Sequence, residues 1–333
     1  MKCTVCREPA VIDLRRHNSN FCASHFTKFC RDQTQKAIDE FDMMTPADKV
    51  LVAVSGGKDS LAVWDILLDL GYAASGLYIG LGIGDYSDES KRYAREFAER
   101  RGAELIEIDL PAEYGYDIPE GSRAARRAPC SACGLSKRHL FDQAAVDGGF
   151  DVLVTGHNLD DEAAVLFGNV LHWQTEYLGR QHPVLPARHG FPRKVKPLVR
   201  LSERETAAYC IVSGIDYLVD ECPMSAGNKH LGYKEALNEI EVRSPGSKAD
   251  FYFSFLRRAV DRFAPEPGTG DADRADPGVL APCARCGSPT STEVCAFCRL
   301  VERAGGSPPD DTPARPVTLG RRGGPDPTGT PSP

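Results

Sequence analysis

One junction constrains this chain more than any other feature: Val50-Leu-Val-Ala-Val54 runs directly into Ser55-Gly-Gly-Lys-Asp-Ser60. An unbroken apolar run is what a strand buried on both faces requires. Two glycines let the backbone approach a phosphate closely. A helix that starts at once offers unpaired N–H groups and the positive end of its dipole. Leu61 to Leu70 has the pattern of that helix, with Gly71 as its stop. Lys58 adds a point charge, Ser55 and Ser60 can donate hydrogen bonds, and Asp59 could hold Mg²⁺ beside the phosphates. The spacing is not that of the G-x-x-x-x-G-K-S/T loop. Gly80-Leu-Gly-Ile-Gly84 is a weaker signal, readable as a flexible loop or as part of an adenine pocket.

Around this junction, from Lys49 to about Phe263, strand and helix patterns alternate. Glu104 to Leu110, Asp151 to Thr155 and Asp216 to Val219 read as strands. Ser202 and Glu205 form a capping box that starts a helix running to about Ser213. Upstream, Phe26, Phe29, Gln33, Ala37, Phe41 and Met44 recur at helical spacing, which predicts a connecting helix over 31–48. The alternation predicts an α/β fold, a parallel twisted sheet with helices on both faces. In an open parallel sheet, ligands gather at the carboxyl ends of strands. Thr155-Gly-His-Asn-Leu-Asp-Asp-Glu162 therefore brings Gly156, Asp160 and Asp161 to the same edge as the glycine loop. Asp161 also fits a plain helix N-terminal carboxylate, and a structural role suits His157 better than catalysis.

Twelve cysteines are many for a reducing compartment, where Cys-x-x-Cys spacing reads as metal or redox chemistry. Cys3-x₂-Cys6 with Cys22-x₂-His25, and Cys283-x₂-Cys286 with Cys295-x₂-Cys298, are two four-ligand zinc patterns. They define a module over 1–30 and another over 283–303, each too small for a core without metal. Cys130, Cys133 and Cys222 form a third, three-thiol group. A [4Fe–4S] cluster on three cysteines would leave one iron open to sulfide. A persulfide or disulfide relay without metal is the competing reading, and Cys222 as a merely buried residue is a third. Lys137 shares the Cys133 helix face, four residues on. Cys30 and Cys210 stand apart and read as buried small hydrophobes. Pro, Gly and Asp mark 264–282 as a linker and 304–333 as a disordered tail.

The 333 residues suffice for one good core with accessories. There is no long apolar span and no h-region, so neither a membrane helix nor a signal peptide is expected, and the cytoplasm is the default location. The net charge of −7 speaks against a nucleic-acid partner, but its distribution does not. Residues 122–141 contain no acid and carry Arg123, Arg126, Arg127, Lys137 and Arg138. Residues 177–202 are likewise acid-free and carry six Lys or Arg, from Arg180 to Arg200. Such local basic surface can hold phosphates.

The glycine loop in its strand–loop–helix setting closely resembles the pyrophosphate loop (PP-loop) of the ATP-pyrophosphatase superfamily. The order of motifs through residue 298 resembles the TtuA-type tRNA 2-thiouridine synthetases. That order is a zinc module, SGGKDS, CSACG with Lys137, TGHNLDDEA, an ECP at Cys222, then a zinc module. The resemblance implies that Ala53, Ser55, Gly56, Gly57, Lys58, Asp59, Ser60, Lys137, Gly156 and Asp161 serve ATP and Mg²⁺. It implies a [4Fe–4S] cluster on Cys130, Cys133 and Cys222, with Lys137 and Asp161 assisting base activation, and two Zn²⁺ in the outer modules. The implied reaction adenylates the C2 oxygen of a tRNA uridine and then replaces that oxygen by cluster-bound sulfide. Implied partners are tRNA and a sulfur-carrier protein or cysteine desulfurase; a homodimer is compatible with the sequence. His25, where wobble-uridine thiolases usually have Cys, favours 5-methyluridine 54 as target. Wobble uridine 34, cytidine 32 or a small-molecule substrate of a PP-loop ATP-pyrophosphatase are the alternatives.

Overall fold

The computed structural model describes residues 1–188, 190–225, 229–263 and 280–307. Most of the expected linker and tail therefore lies outside the described residues. The chain opens with a hairpin of β1 (Ile12–Leu14) and β2 (Ser19–Phe21), followed by α1 (Ala23–Glu40). Then come β3 (Val50–Val54), α2 (Lys58–Asp69), β4 (Ala74–Gly80), α3 (Gly84–Arg101) and β5 (Leu105–Asp109). Short α4 (Leu110–Tyr114) and α5 (Ile118–Ala124) lead to α6 (Pro129–Asp147), β6 (Val152–Val154), α7 (Leu159–Leu171) and α8 (Thr175–Leu178). The strands β7 (Val184–Leu185) and β8 (Arg193–Val195) precede α9 (Glu203–Val212), α10 (Lys229–Arg243) and α11 (Ser247–Arg258). A C-terminal module holds β9 (Ala281–Pro282), β10 (Pro289–Thr290) and α12 (Ala296–Arg303).

The main sheet has the order β5-β4-β3-β6-β8-β7, with every neighbouring pair parallel except β7 with β8. β3 sits inside it and is buried on both sides, as its apolar run requires. Val50, Val52 and Val54 point into one apolar cluster with α1, α2, α9 and α11 residues. Leu51 points into another, with residues of α4, α5, α6 and α12. The period of two along a strand thus sorts one five-residue segment into two cores. From β3 the chain builds outward to β4 and β5, then returns across the sheet to place β6 on the other side of β3. That reversal makes the crevice between β3 and β6 the topological switch point, where open α/β sheets bind ligands.

The capping box at the start of α9 forms as the sequence indicates: Ser202 Oγ accepts from Glu205 N, and the Glu205 carboxylate accepts from Ser202 N at 2.7 Å. Cys30 and Cys210 are fully buried. One expected strand does not form. Residues 216–219 make only a single parallel bridge, Leu218 to Gly57, because their backbone meets the glycine loop rather than a strand.

The N-terminal module is tied to the core by charge as well as packing. Arg16 donates Nε and Nη2 to both oxygens of Glu205, at 3.0 and 2.5 Å, and Nη2 also reaches the Arg200 carbonyl at 2.7 Å. Both side chains are almost fully buried. Removing one partner of such a pair strands the other charge. Arg16→Ala should therefore lower unfolding free energy by about 3 kcal/mol in denaturant titrations. Arg16→Lys should recover only part of this, since an ammonium cannot make the two-pronged contact.

Candidate functional site

The glycine loop is closed by its own hydroxyls. Ser55 N donates to Ser60 Oγ at 3.1 Å, and Ser60 Oγ donates to the Gly57 carbonyl at 2.9 Å. Gly56 has φ +74°, and a Cβ there would meet the Ser90 carbonyl oxygen at 2.3 Å, so the loop can press on α3 only as glycine. Gly156, in the loop after β6, packs on the Asp59–Ser60 peptide, where a Cβ would lie 2.8 Å from the Asp59 carbonyl carbon. Together the two loops border a cavity of about 310 Å³ whose lining includes Ala53, Ser55, Asp59, Ser60, Gly156 and His157. Lys137 and Phe141 of α6 form another wall, and Tyr78 and Tyr86 a third. His157 is exposed, yet desolvation by the surrounding walls and the nearby Lys196 charge hold it below its ordinary pKa, and Nδ1 shares a hydrogen bond with Thr155 Oγ1 at 2.8 Å.

Three helices present their N-termini to the loop, and their first residues form one network. Asp59 accepts from Lys58 Nζ at 3.0 Å, from Asn158 Nδ2 at 3.1 Å and from Thr206 Oγ1 at 2.5 Å. Burial nevertheless pushes its carboxyl above the usual carboxylate range. Asn158 caps α7 and Asp161 completes the box by accepting from Asn158 N at 3.0 Å. Asp161 also pairs with Lys234 at 2.6 Å. Glu203 pairs with Lys58 and with Lys234, and these cations outweigh the effect of burial and hold its carboxyl down at about 2. Neither Glu203 nor Lys234 stands in a recognisable motif. The only hint was that Glu203 follows a capping serine, which aims it at whatever α9 faces.

Cys130 and Cys133 occupy the first turn of α6, which Pro129 opens. Cys130 Sγ contacts the Met224 carbonyl at 3.3 Å, which brings the segment after Cys222 onto this turn. Cys133, Cys222, Met224 and Tyr86 pack half-buried in one apolar cluster. Burial raises the Cys133 thiol, and the nearby Lys137 ammonium partly offsets that. Tyr86, raised by burial and by the neighbouring Cys222 and Cys133 sulfurs, touches both this cluster and the cavity; sequence reasoning missed it.

The two outer cysteine groups, unlike Cys130, Cys133 and Cys222, each converge tightly enough for a single ion. The ligand atoms of Cys3, Cys6, Cys22 and His25 all lie within 4.8 Å of one another, as do those of Cys283, Cys286, Cys295 and Cys298. Hydrogen bonds from Ser24 and the His25 backbone pull the Cys22 thiol down to about 6. The second set sits against α6, with Phe297 stacked on His139 at 4.1 Å between ring centres.

The structure also divides the two acid-free basic stretches. Lys194, Lys196 and Arg200 are paired with Asp142, Glu162 and Glu40, acids supplied by other parts of the chain. Arg123, Arg126, Arg127 and Arg138 are exposed, and among the described residues no carboxylate forms an ion pair with them. They flank the cysteine end of α6.

Fold and loop together define a nucleotide-binding PP-loop protein, and comparison with known proteins narrows this. Residues 2–27 match the family described as 2-thiouridine synthetase TtuA, N-terminal LIM domain, and residues 27–228 match the PP-loop domain. The chain is 48% identical to the tRNA-5-methyluridine(54) 2-sulfurtransferase of Thermus thermophilus, across 90% of this chain and 91% of the relative. It is 40% identical to the protein of that name from Pyrococcus horikoshii, across 90% and 93%. The solved structure of the U34-tRNA thiolase NcsA from Methanococcus maripaludis, with its [4Fe-4S] cluster, superposes with a TM-score of 0.73 at 24% identity, over 91% of this chain and 96% of that one. The chain belongs to the TtuA family of tRNA 2-sulfurtransferases.

The low pKa of Glu203 makes a prediction. A carboxyl whose folded pKa lies below its ordinary 4.5 contributes stability that is complete above that pH and lost as pH falls through about 2. The stability gap between the native protein and Glu203→Gln, read from urea unfolding, should be constant from about pH 7 to 5 and shrink on further acidification. A gap unchanged down to about pH 2.5 would contradict these ion pairs.

Proposed function

We propose that this protein uses ATP to thiolate C2 of a tRNA uridine, with 5-methyluridine 54 as the target. One observation carries the reading: Lys137, one helical turn after Cys133, lines the same cavity as the glycine loop. This supports a reading in which one helical turn links nucleotide chemistry at Lys137 to sulfur chemistry at Cys133. The relatives named for position 54 are 40–48% identical, whereas the wobble-uridine enzyme is 24% identical, which supports the choice of position.

In this reading Ser55 to Ser60 and Gly156 hold ATP, with Ala53 beneath the base. The loop N–H groups and Lys58 take the pyrophosphate end, and Asp59 is the carboxylate nearest to it for Mg²⁺. Attack of the uridine C2 oxygen on the α-phosphorus expels pyrophosphate, and negative charge builds on the α-phosphoryl oxygens. The Lys137 ammonium is placed to offset that charge. Asp161 lies at the same edge and helps orient the base. The adenylated oxygen then leaves C2 as AMP when a sulfur nucleophile takes its place.

The residues suit the groups the family implies. Three free thiols, Cys133 and Cys222 half-buried on an apolar cluster and Cys130 exposed beside them, fit a [4Fe–4S] cluster, which needs its ligands farther apart than a single ion does. When bound, such a cluster supplies an open iron site for sulfide. The two four-ligand sets fit closed tetrahedral zinc. We further propose that sulfur arrives on a carrier protein or from a cysteine desulfurase, that the enzyme works in the cytoplasm beside its tRNA substrate, and that it can pair as a homodimer.

Nucleoside mass spectrometry of tRNA incubated with the protein, ATP and a sulfide source tests the reaction; no new 2-thiouridine species would refute it. Cys222→Ala should abolish the product while both zinc sites stay filled by metal analysis. Full activity in that variant would sink the cluster mechanism, and active protein without iron would replace the cluster by a metal-free relay. Arg126→Ala with Arg127→Ala should weaken tRNA binding and flatten its dependence on salt by about two units of log–log slope. Unchanged binding would move the RNA surface elsewhere.

A further inference from the structure

Glu203 is gripped from two sides. Lys58 Nζ lies 2.9 Å from Oε1 and Lys234 Nζ 3.1 Å from Oε2. Lys58 comes from the first turn of α2, Glu203 from the first residue of α9, and Lys234 from α10. Each lysine also reaches a second carboxylate, Asp59 at 3.0 Å for Lys58 and Asp161 at 2.6 Å for Lys234. Both lysine side chains are about one-fifth exposed, so their charges depend on partners rather than on water. The five groups carry two positive and three negative formal charges.

Two ammonium groups converging on the two terminal oxygens of one anion is the arrangement a pyrophosphate also requires. Glu203 is the most exposed of the three carboxylates, at 38%, and so the one that can turn into water. A polyphosphate brings several negative charges to a place where Glu203 brings one, and charge-assisted hydrogen bonds to phosphate are strong and geometrically selective. Lys58 alone would face such a group from one side.

We propose that Lys234 is a second pyrophosphate-binding cation, opposite Lys58, and that Glu203 is the carboxylate both lysines exchange for the pyrophosphate end of ATP. This rests on the ATP-binding reading above. It assigns to α10, far from the glycine loop in sequence, a direct contact with the leaving group. It also assigns to Glu203 the job of keeping two lysines charged and aimed.

Calorimetry on the full chain with Mg²⁺-pyrophosphate and, separately, AMP tests this. Lys234→Met should weaken pyrophosphate binding about tenfold or more and leave AMP within about twofold. Lys234→Arg should retain most of the affinity. Glu203→Gln should tighten pyrophosphate several-fold, because the competing anion is gone. Opposite shifts in the two variants would not arise from a network that only holds the fold. Equal pyrophosphate affinity in the native protein and Lys234→Met overturns the proposal. So does weaker binding in Glu203→Gln, or loss of AMP together with pyrophosphate in Lys234→Met. Native protein that binds neither ligand removes the ATP-binding reading itself, and the proposal with it.

Discussion

The site depends on β3 having no face toward water. Its odd and even residues are committed to two separate cores, so the strand cannot slip in register without exposing one set. Fixed in this way, it delivers Ser55 to one point on the sheet edge. β6 runs parallel beside it and delivers Gly156 to the next point. Helix α2 carries the chain away to β4 on one side, and α7 carries it away on the other. The opening between them is a consequence of strand order and needs no special loop. What does need special residues is the depth of the opening, which is why Gly56 and Gly156 sit where a methyl group would collide with backbone.

Much of this was readable from residues alone, for a physical reason. A strand buried on both faces, a capping box and a four-ligand metal pattern are local: each is specified within about twenty residues. The α/β alternation, the glycine loop, the α9 start and the two outer cysteine sets are of this kind. What the sequence hid is what forms across the fold. Asp216 to Val219 has strand composition, but the sheet edge beside it is occupied by the glycine loop, so one bridge is all it makes. The stretch from Arg193 to Arg200 looks like a free basic surface because its acids, Asp142, Glu162 and Glu40, lie up to 160 residues away. Lys234 and Glu203 share no motif and meet only because α10 packs on α7 and α9 on α2, the helices that flank the loop.

The cysteine modules turn out to be walls of the two cores rather than appendages. The N-terminal hairpin and α1 contribute Ile12, Leu14 and Phe26 to the cluster on one side of the sheet. The C-terminal module contributes Phe297, Leu300 and Val301 to the cluster on the other. Burial of these side chains is worth about 1.5–3 kcal/mol each, and in modules this small it becomes available only when the four ligands are drawn together. Metal bound in either outer set would therefore act on the sheet, although neither set borders the cavity.

The C-terminal set acts on it through one element. Phe297, between Cys295 and Cys298, stacks on His139 of α6, while Lys137 shares that turn of the helix and Cys130 and Cys133 occupy earlier ones. Within a helix the offset between Cys133 and Lys137 is set by backbone hydrogen bonds, about one turn of 5.4 Å, and cannot drift as a loop would. The relation between the cysteine turn and the cavity is thus rigid along α6, and the orientation of α6 against the sheet is what remains to be fixed. The zinc-shaped module behind it supplies that restraint. A metal bound there would in this way govern where the thiols of α6 point without bordering the cavity.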